Sequence, residues 1–298
     1  MPPASPDLET MARTNGLSPR HLVRLSVLAA FSAATAHGTG DAGSSWRSVA
    51  KGFEIGRFET TVRSEAGDST ITAVRIDPAS YSVELFSAVA GKIENWPTGA
   101  DWAEREKLAA AINGGMFEID GRTTGYSRQG ETVVNPKWSN AYRSALVAEP
   151  TNPKLPAVQL LDRECDDSEK IAAQYRVVLQ GVRMVDCHGK NVWQVDPKKW
   201  SAAALAIDGN GRLLLLAARS PYTMHAFVDE LLAQRLLDVR RAMYLEGGPE
   251  VSLIAQDVNG RLEVIGRPRS ESTFDDGKSL PWRLPNVLGF KLRAGAGP

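Results

Sequence analysis

Short apolar runs separated by turn residues recur along the chain from about residue 70 to residue 255. They are STITAVRI (69–76), YSVELFSA (81–88), AVQLL (157–161), YRVVLQG (175–181), AALAI (203–207), LLLLAA (213–218), AMYL (242–245) and VSLIA (251–255). Runs of this length and composition favour β-strands. Hairpin-type turn signals lie at Asp120-Gly121, His188-Gly189, Asn259-Gly260 and at the tetrapeptide DGNG (208–211). We therefore expect mostly antiparallel strand pairing.

Two stretches have helical spacing of their apolar residues: DWAEREKLAAAI (101–112) and MHAFVDELLAQRLL (224–237). In the second, Phe227, Leu231 and Leu232 recur on one face, and Thr223 is placed to cap the N-terminus. A strand-like run that ends in a Gly-Gly pair follows each stretch within a few residues. The pattern predicts an α/β (α+β) fold, with a mixed, largely antiparallel sheet and helices packed against it in a single domain.

The composition excludes some functions. A chain of 298 residues with 43% hydrophobic content can bury a large core. Its 35 basic residues balance its 35 acidic residues, so it lacks the positive field through which proteins hold nucleic acid. We expect no nucleic-acid partner.

The first 45 residues have the pattern of an export signal followed by a linker. Three arginines precede the apolar run LSVLAAFSAATA (25–36), which ends in a small-x-small triplet. The run is shorter than the roughly 20 apolar residues that span a bilayer. We therefore expect a signal peptide at 1–36, a Gly/Ser-rich tether at 37–45 and a domain at 46–298, in a secreted or periplasmic protein without a membrane span in its mature chain. An amphipathic N-terminal helix of a cytosolic protein is the alternative.

The chain has two cysteines, Cys165 and Cys187. In an oxidising compartment a disulfide between them would persist, and we predict that it forms. Two unconnected thiols are the alternative. The distance between the two Cα atoms decides whether a bond can form, and the sequence does not give this distance. No CxxC motif and few histidines accompany these residues, so we expect no metal site and disfavour a metallohydrolase.

The segment AAAINGGMFEIDG (109–121) holds the first group of candidate functional residues. An apolar strand-like run leads into Asn113, Gly114 and Gly115, and Phe117 and Asp120 follow. Glycines permit a positive φ and let backbone N–H groups approach a ligand closely. A tight turn behind a buried strand would explain the same residues without a function.

The segment RRAMYLEGGPEVSL (240–253) holds the second group. An apolar strand-like run ends at Glu246, and Gly247, Gly248, Pro249 and Glu250 follow. A carboxylate held at a strand end beside flexible backbone suits an acid, a base or a polar anchor. A solvated acid in a turn is the alternative.

Together, and in this order, the two segments resemble the signature of the phosphodiester glycosidase family, an Asn-Gly-Gly-(Tyr/Met)-Phe element followed by a strand ending in Leu-Asp-Gly-Gly. Similar segments also occur at QGVRMVDCHGK (180–190), ALAIDGNGRLLLLAARSPYTMHAFVDELL (204–232) and RLPNVLGF (283–290). The resemblance runs from about residue 70 to residue 292. The chain departs from the family pattern at Glu246, where most members have Asp, at Pro249 and Glu250, and at SAAA (201–204), where an Arg is common.

Members of this family cleave the bond between the anomeric carbon of a sugar and phosphate. The resemblance therefore implies a hydrolase of the bacterial envelope that acts on a sugar 1-phosphodiester, with a sugar phosphate or glycan as its partner. The implied catalytic carboxylates are, in order of preference, Glu246, Glu250 and Asp120. The implied substrate-binding residues are Asn113, Gly114, Gly115, Phe117, Arg183, Arg219, Gly247 and Gly248. An arginine suits the phosphate because its planar fork binds two oxygens at once. The sequence requires no cofactor and leaves open whether a divalent cation takes part.

Two other functions stay open. A non-catalytic protein of the same fold that binds a glycan or sugar phosphate would explain the departures at Glu246, Pro249 and Glu250. A serine or cysteine hydrolase is disfavoured, since GYSRQG (125–130) has one residue too many for the motif G-x-S-x-G and histidine is scarce.

Overall fold

A computed structural model describes residues 45–267 and 280–295, which belong to one compact unit. The strands are β1 (Ser45–Ala50), β2 (Phe53–Glu59), β3 (Thr70–Ile76), β4 (Tyr81–Ser87), β5 (Ala110–Asn113), β6 (Ser127–Gln129), β7 (Thr132–Asn135), β8 (Ser144–Pro150), β9 (Val158–Asp162), β10 (Tyr175–Val185), β11 (Trp200–Asp208), β12 (Leu213–Tyr222), β13 (Val239–Gly247), β14 (Ser252–Asp257), β15 (Gly260–Ile265) and β16 (Asn286–Leu292). The helices are α1 (Gly99–Arg105), α2 (Ser168–Ala172) and α3 (Met224–Ala233), with a 3₁₀ turn at Gly248–Glu250.

The described strands form two sheets, and every pairing between them is antiparallel. Sheet 1 has eleven strands in the order β1-β2-β3-β12-β11-β13-β10-β6-β7, with β8 and β9 attached through β10. Sheet 2 has five strands in the order β15-β14-β5-β16-β4. The prediction of largely antiparallel pairing is confirmed. The molecule is richer in β-structure than the predicted class implies, since two sheets stand where one was expected.

The main hydrophobic core lies between the two sheets. Each sheet contributes alternate residues to it, as expected when one face of a strand is buried. Sheet 1 provides, among others, Ala203, Leu205, Leu215 and Met243, and sheet 2 provides, among others, Ile112, Leu253, Leu288 and Phe290. The two sheets therefore pack as a sandwich.

A helix covers the outer face of each sheet. On sheet 1, α3 packs Met224, Phe227 and Leu231 onto alanines and leucines of β11 and β12. The Thr223 hydroxyl accepts a hydrogen bond from the backbone N–H of Ala226, so the predicted N-cap is confirmed. On sheet 2, α1 packs Ala103 onto the outward side of β5 and β14. The layer order is helix, sheet, sheet, helix.

Both predicted helices are present but shorter; the second begins at Met224 as expected, and the first begins at Gly99, two residues early. The helix expected over 101–112 ends at Arg105, and the residues from Ala110 to Asn113 form β5 instead. This segment pairs with β14 on one side and β16 on the other, and all four of its residues are buried. Sheet pairing thus overrides the helical propensity of three consecutive alanines. The second helix likewise ends at Ala233 rather than at residue 237.

Both Gly-Gly segments lie where the chain passes from one sheet to the other. After β5 of sheet 2 the chain continues to β6 of sheet 1, and after β13 of sheet 1 it continues to β14 of sheet 2. Because β5 and β14 are paired neighbours, the two passages lie at the same end of the sandwich.

Cys165 and Cys187 form the predicted disulfide. The bond joins the loop after β9 to the turn after β10. The predicted signal peptide, and the predicted tether except for Ser45, lie outside the described residues; Ser45 is the first residue of β1. In the part of the chain that the structure describes, no helix has the length and apolar character needed to cross a membrane.

Candidate functional site

Glu246 lies at the end of β13, beside a β-bulge. It pairs with Ala203 of β11, and the register shifts between Ala203 and Ala204. Ala203 belongs to the core between the sheets, and cross-strand partners share a face. Glu246 therefore sits on the inner face of sheet 1, half-buried, and its Oε1 accepts a hydrogen bond of 3.1 Å from the N–H of Gly247.

The two glycines after Glu246 are required for different reasons. A Cβ on Gly247 would lie 2.2 Å from Cδ1 of Trp200 and 2.4 Å from Oη of Tyr244, so the aromatic side chains occupy its space. Gly248 has φ +77°, in the left-handed region that side chains disfavour. Glycine at both positions lets the chain turn sharply from sheet 1 towards sheet 2.

Glu250 follows in the 3₁₀ turn and is half-buried. Its Oε2 lies 3.4 Å from the position that a Cβ on Gly248 would take. The two preferred carboxylates therefore flank the same glycine turn.

Asn113 connects the two Gly-Gly segments. Its side chain is only 2% exposed, and its Oδ1 accepts a hydrogen bond of 3.3 Å from the backbone N–H of Ser252. Ser252 is two residues beyond Glu250, so this bond ties the first segment to the second. The structure thus brings the segments together, although about 130 residues separate them in the chain.

Three buried polar atoms around Asn113 have no hydrogen-bond partner within the described residues. They are Asn113 Nδ2, Ser252 Oγ and Asn286 Oδ1. Ser252 and Asn286 lie on the strands that flank β5, at the end where Gly114 donates its N–H to the carbonyl of Asn286. Most buried polar atoms are satisfied, so these three atoms mark the end of sheet 2 beside Asn113 as unusually polar for a buried position.

A cavity of about 590 Å³ lies between the inner face of sheet 1 and the edge strand of sheet 2. The described residues that line it are Arg57, Asp68, Thr70, Thr72, Arg219, Glu263, Val264, Ile265, Leu280 and Pro281. Arg219, predicted to bind substrate, is among them; of the described lining residues, none is Asn113 or Glu246.

β11 connects this cavity to the Glu246 turn. Ser201 donates its hydroxyl to the carbonyl of Arg219 at 2.6 Å, and its neighbour Ala202 pairs with Gly247. The hydroxyl of Ser201 also accepts a hydrogen bond from the N–H of Arg267. The cavity and the two carboxylates therefore lie at the same end of sheet 1.

Arg183, the other arginine predicted to bind substrate, is held by carboxylates elsewhere. Its Nη1 donates to both oxygens of Asp162, at 2.7 and 2.9 Å, and to Oε2 of Glu164 at 2.7 Å. Burial would lower the pKa of Arg183, but the hydrogen bonds to Glu164 and Asp162 outweigh burial and raise it. Asp162 also accepts the N–H of Cys187. These contacts give Arg183 a structural role beside the disulfide.

Asp120 and Phe117 belong to the hairpin that follows the first Gly-Gly pair. Asp120 is exposed and accepts hydrogen bonds from the backbone and side chain of Arg122, which lower its pKa. Phe117 packs edge-on against Trp96, with ring centroids 5.8 Å apart. Asp120 thus stabilises the turn, and Phe117 holds the turn against Trp96. The proposed chemistry therefore does not include Asp120.

Sequence reasoning missed Ser252, Asn286 and Arg57. The first two lie inside segments that carried the family resemblance, but their burial depends on strand pairing. Arg57 lies on a strand that the sequence did not reveal, so no local signal marked it. Arg57 is a candidate functional residue only because it lines the cavity.

One cluster of described residues has the spacing of a metal site, namely Cys165, Cys187 and His188. Both sulfur atoms belong to the disulfide. They therefore offer no thiolate to a metal ion.

The sequence profile of phosphodiester glycosidases matches residues 106–291. No curated protein sequence matches the chain. Among solved structures, the chain is similar to the catalytic domain of zebrafish N-acetylglucosamine-1-phosphodiester alpha-N-acetylglucosaminidase auto-inhibited by its propeptide, with 14% identity, a TM-score of 0.57 and coverage of 84% of this chain and 89% of that one. A hypothetical protein from Synechocystis gives 14% identity and a TM-score of 0.55, over 82% of this chain and 62% of that one. At such identities the structural likeness concerns the fold alone.

Proposed function

The chain belongs to the phosphodiester glycosidase family, and on that premise we propose that it hydrolyses a sugar 1-phosphodiester. The observation that supports this proposal is the contact between the two Gly-Gly segments. The Asn113–Ser252 hydrogen bond holds them together at one end of the sandwich, where Glu246 and Glu250 flank the turn. A carboxylate pair, backbone N–H groups and a cavity with arginines are the groups that such a reaction needs.

In the proposed reaction, the oxygen of a water molecule attacks the anomeric carbon, and the bond from this carbon to the phosphate oxygen breaks. The water gives one proton to the carboxylate of Glu246, and the phosphate departs as a phosphomonoester. Because the leaving group is already a stabilised anion, it needs less help from a general acid than an ordinary alcohol does. The carboxylate charge also stabilises the electron-poor anomeric carbon of the transition state.

We place this activity outside the cytoplasm, in the bacterial envelope or the medium. The Cys165–Cys187 disulfide supports this location, because such bonds persist in oxidising compartments. The export-like pattern of the first 36 residues supports it as well.

The test is turnover of a chromogenic sugar 1-phosphodiester by the pure protein. Glu246→Gln keeps the shape of the side chain and removes its charge, so we expect kcat to fall by about a hundredfold or more while substrate binding is largely kept. Glu131→Gln changes an exposed acid on the turn between β6 and β7 and serves as the control with parental kcat. Equal kcat in the Glu246→Gln variant and the parent would remove Glu246 from the mechanism.

The second candidate function is a binding protein without turnover. Its support is the hydrogen bond that turns Oε1 of Glu246 back onto the N–H of Gly247, together with the longer side chain at a position where most family members have Asp. A displacement of about 1 Å can cost roughly a hundredfold in rate. If the protein binds sugar phosphates but releases no product from a panel of phosphodiesters, and Glu246→Asp restores turnover, the binding function is the correct one.

A further inference from the structure

The cavity between the sheets has an inner face built from three neighbouring strands. Arg57 of β2 pairs with Thr72 of β3, and Thr72 pairs with Ala217 of β12. Ala217 faces the core between the sheets, so Arg57 and Thr72 lie on that same face. Arg219 is two residues beyond Ala217 and, by strand alternation, faces the same way. Two guanidinium groups therefore approach one cavity from strands on either side of β3.

Arg57 combines a place in the cavity lining with a guanidinium that has no partner among the described residues. Within residues 45–267 and 280–295, its guanidinium makes no hydrogen bond or ion pair. The cationic side chains of Arg75, Arg183, Arg212 and Arg241, by contrast, all contact carboxylates. An exposed arginine at the rim of a concave site is available for an anionic ligand.

The carboxylates of the cavity are already engaged. Asp68 Oδ1 accepts hydrogen bonds from the hydroxyl of Ser220 at 3.1 Å and from the N–H of Thr70 at 3.2 Å. Glu263 Oε1 is paired with the guanidinium of Arg261 at 2.5 Å. These contacts leave acceptor oxygens that suit ligand hydroxyls, and Arg57 remains as a site for negative charge. The combination fits a phosphate that carries a polyhydroxy group better than a bare anion.

We propose that this cavity is the subsite for the phosphate and the group beyond it, with Arg57 as a phosphate-binding residue. The proposal rests on the proposed function, whose hydrolysis leaves the phosphate on this second group. A volume of about 590 Å³ lies in the range of small-molecule sites and exceeds the need of phosphate alone. The hydroxyl groups of Thr70 and Thr72 are placed to bind the polyhydroxy group.

Calorimetric titration of the full chain tests this subsite with three probes: glucose 6-phosphate, inorganic phosphate and glucose. We expect glucose 6-phosphate to bind more tightly than inorganic phosphate, and glucose to bind least. Arg57→Met should weaken glucose 6-phosphate binding by about tenfold or more, because it removes a charge-assisted hydrogen bond. Thr72→Val should weaken glucose 6-phosphate more than inorganic phosphate.

Arg176→Met is the matched control. Arg176 is an exposed arginine of β10 outside the described cavity lining, so its replacement should leave the affinity unchanged. Parental affinity in the Arg57→Met variant, or an equal loss in the Arg176→Met variant, would overturn the subsite. Turnover of a phosphodiester with unchanged affinity in Arg57→Met would sink the subsite and leave the hydrolase intact. Tight, Arg57-dependent binding without any turnover would support the subsite and contradict the hydrolase.

Discussion

At the scale of single residues, Asn113 acts as a link between the two Gly-Gly segments more than as an exposed ligand-binding group. It is buried, and its amide oxygen receives the N–H of Ser252. The sequence suggested that its side chain would contact sugar or phosphate directly. Its amide nitrogen is buried and has no hydrogen-bond partner in the described chain.

We predict that Asn113→Ala lowers the free energy of unfolding by about 1–3 kcal/mol, because the buried N–H of Ser252 loses its acceptor. Urea unfolding followed by circular dichroism measures the change. Asn140→Ala, at an exposed position, should change the free energy of unfolding by less than about 0.5 kcal/mol. A midpoint for Asn113→Ala that equals that of Asn140→Ala would contradict the linking role.

Gly247 is limited by space. Since Trp200 and Tyr244 already occupy the position of a Cβ, Gly247→Ala should destabilise the protein by about 1–3 kcal/mol through overpacking. Gly189→Ala is the comparison, because Gly189 has a positive φ of +74° and open space around it; backbone strain alone should cost about 1 kcal/mol. Thermal unfolding of both variants checks the order, and a smaller loss for Gly247→Ala would show that the aromatic pair moves aside easily.

At the scale of secondary-structure elements, the pairing of β2 with β3 is reinforced by charge. Glu54 and Arg75 are direct cross-strand partners, joined by a hydrogen bond of 2.6 Å from Nε to Oε2. Arg75 also lies over the ring of Trp46 on β1, 4.0 Å from its centroid. One guanidinium on β3 therefore contacts both β2 and β1 at the edge of sheet 1.

This ion pair predicts a dependence of stability on pH. The hydrogen bond from Arg75 is the main cause that lowers the pKa of Glu54 in the folded state. A lowered folded pKa stabilises the protein above the unfolded pKa, and the gain is lost as pH falls through the folded value. We expect Glu54→Gln to reduce the unfolding free energy by roughly 0.5–1 kcal/mol at pH 7. Urea titrations should show this difference shrinking below about pH 4, and a difference that stays constant with pH would exclude the ion pair as its origin.

The disulfide links β9 and β10 beyond their ends. Its two cysteines are 22 residues apart in sequence, and closing a loop of this size in the unfolded chain stabilises the folded state by about 3 kcal/mol. We expect the double variant Cys165→Ala/Cys187→Ala to lose about this amount in guanidinium unfolding. The single variant Cys165→Ala should behave like the double one. Two freely alkylated thiols in the native parent protein would contradict the bond.

At the scale of the whole molecule, the sandwich explains why one end carries the candidate chemistry. Strands of both sheets end there, and the chain crosses between the sheets twice at this end. Strand ends and crossing turns expose backbone N–H groups to a ligand. The cavity lies where the edge strand β15 approaches the inner face of sheet 1.

The proposed export predicts where the mature protein begins, at residues that lie outside the described part of the chain. We expect the protein purified from its native envelope to begin near His37 and to carry the oxidised Cys165–Cys187 pair. Intact mass measured before and after reduction tests both expectations together. A mature species that begins at Met1 or Met11 would remove the argument for export.

Local patterns in the sequence were enough for several elements. The alternation and length of the apolar runs indicated strands such as β3, β4 and β12, and turn residues marked the β11–β12 and β14–β15 hairpins. The start of α3 at its Thr223 cap also followed from local sequence. These features depend on contacts between residues close in the chain, so a short window contains the necessary information. The family signature likewise named the two Gly-Gly segments.

Only the tertiary structure decided how these elements combine. Ala110–Asn113 could form a helix or a strand, and pairing with β14 and β16 selected the strand. Arg183 and Arg219 look equivalent in sequence, but Asp162 and Glu164 hold the first while the second faces the cavity. Arg57 joins Arg219 there although more than 150 residues separate them. Such placements depend on strand pairing and burial between distant segments, and the free energy of those contacts is absent from any local pattern.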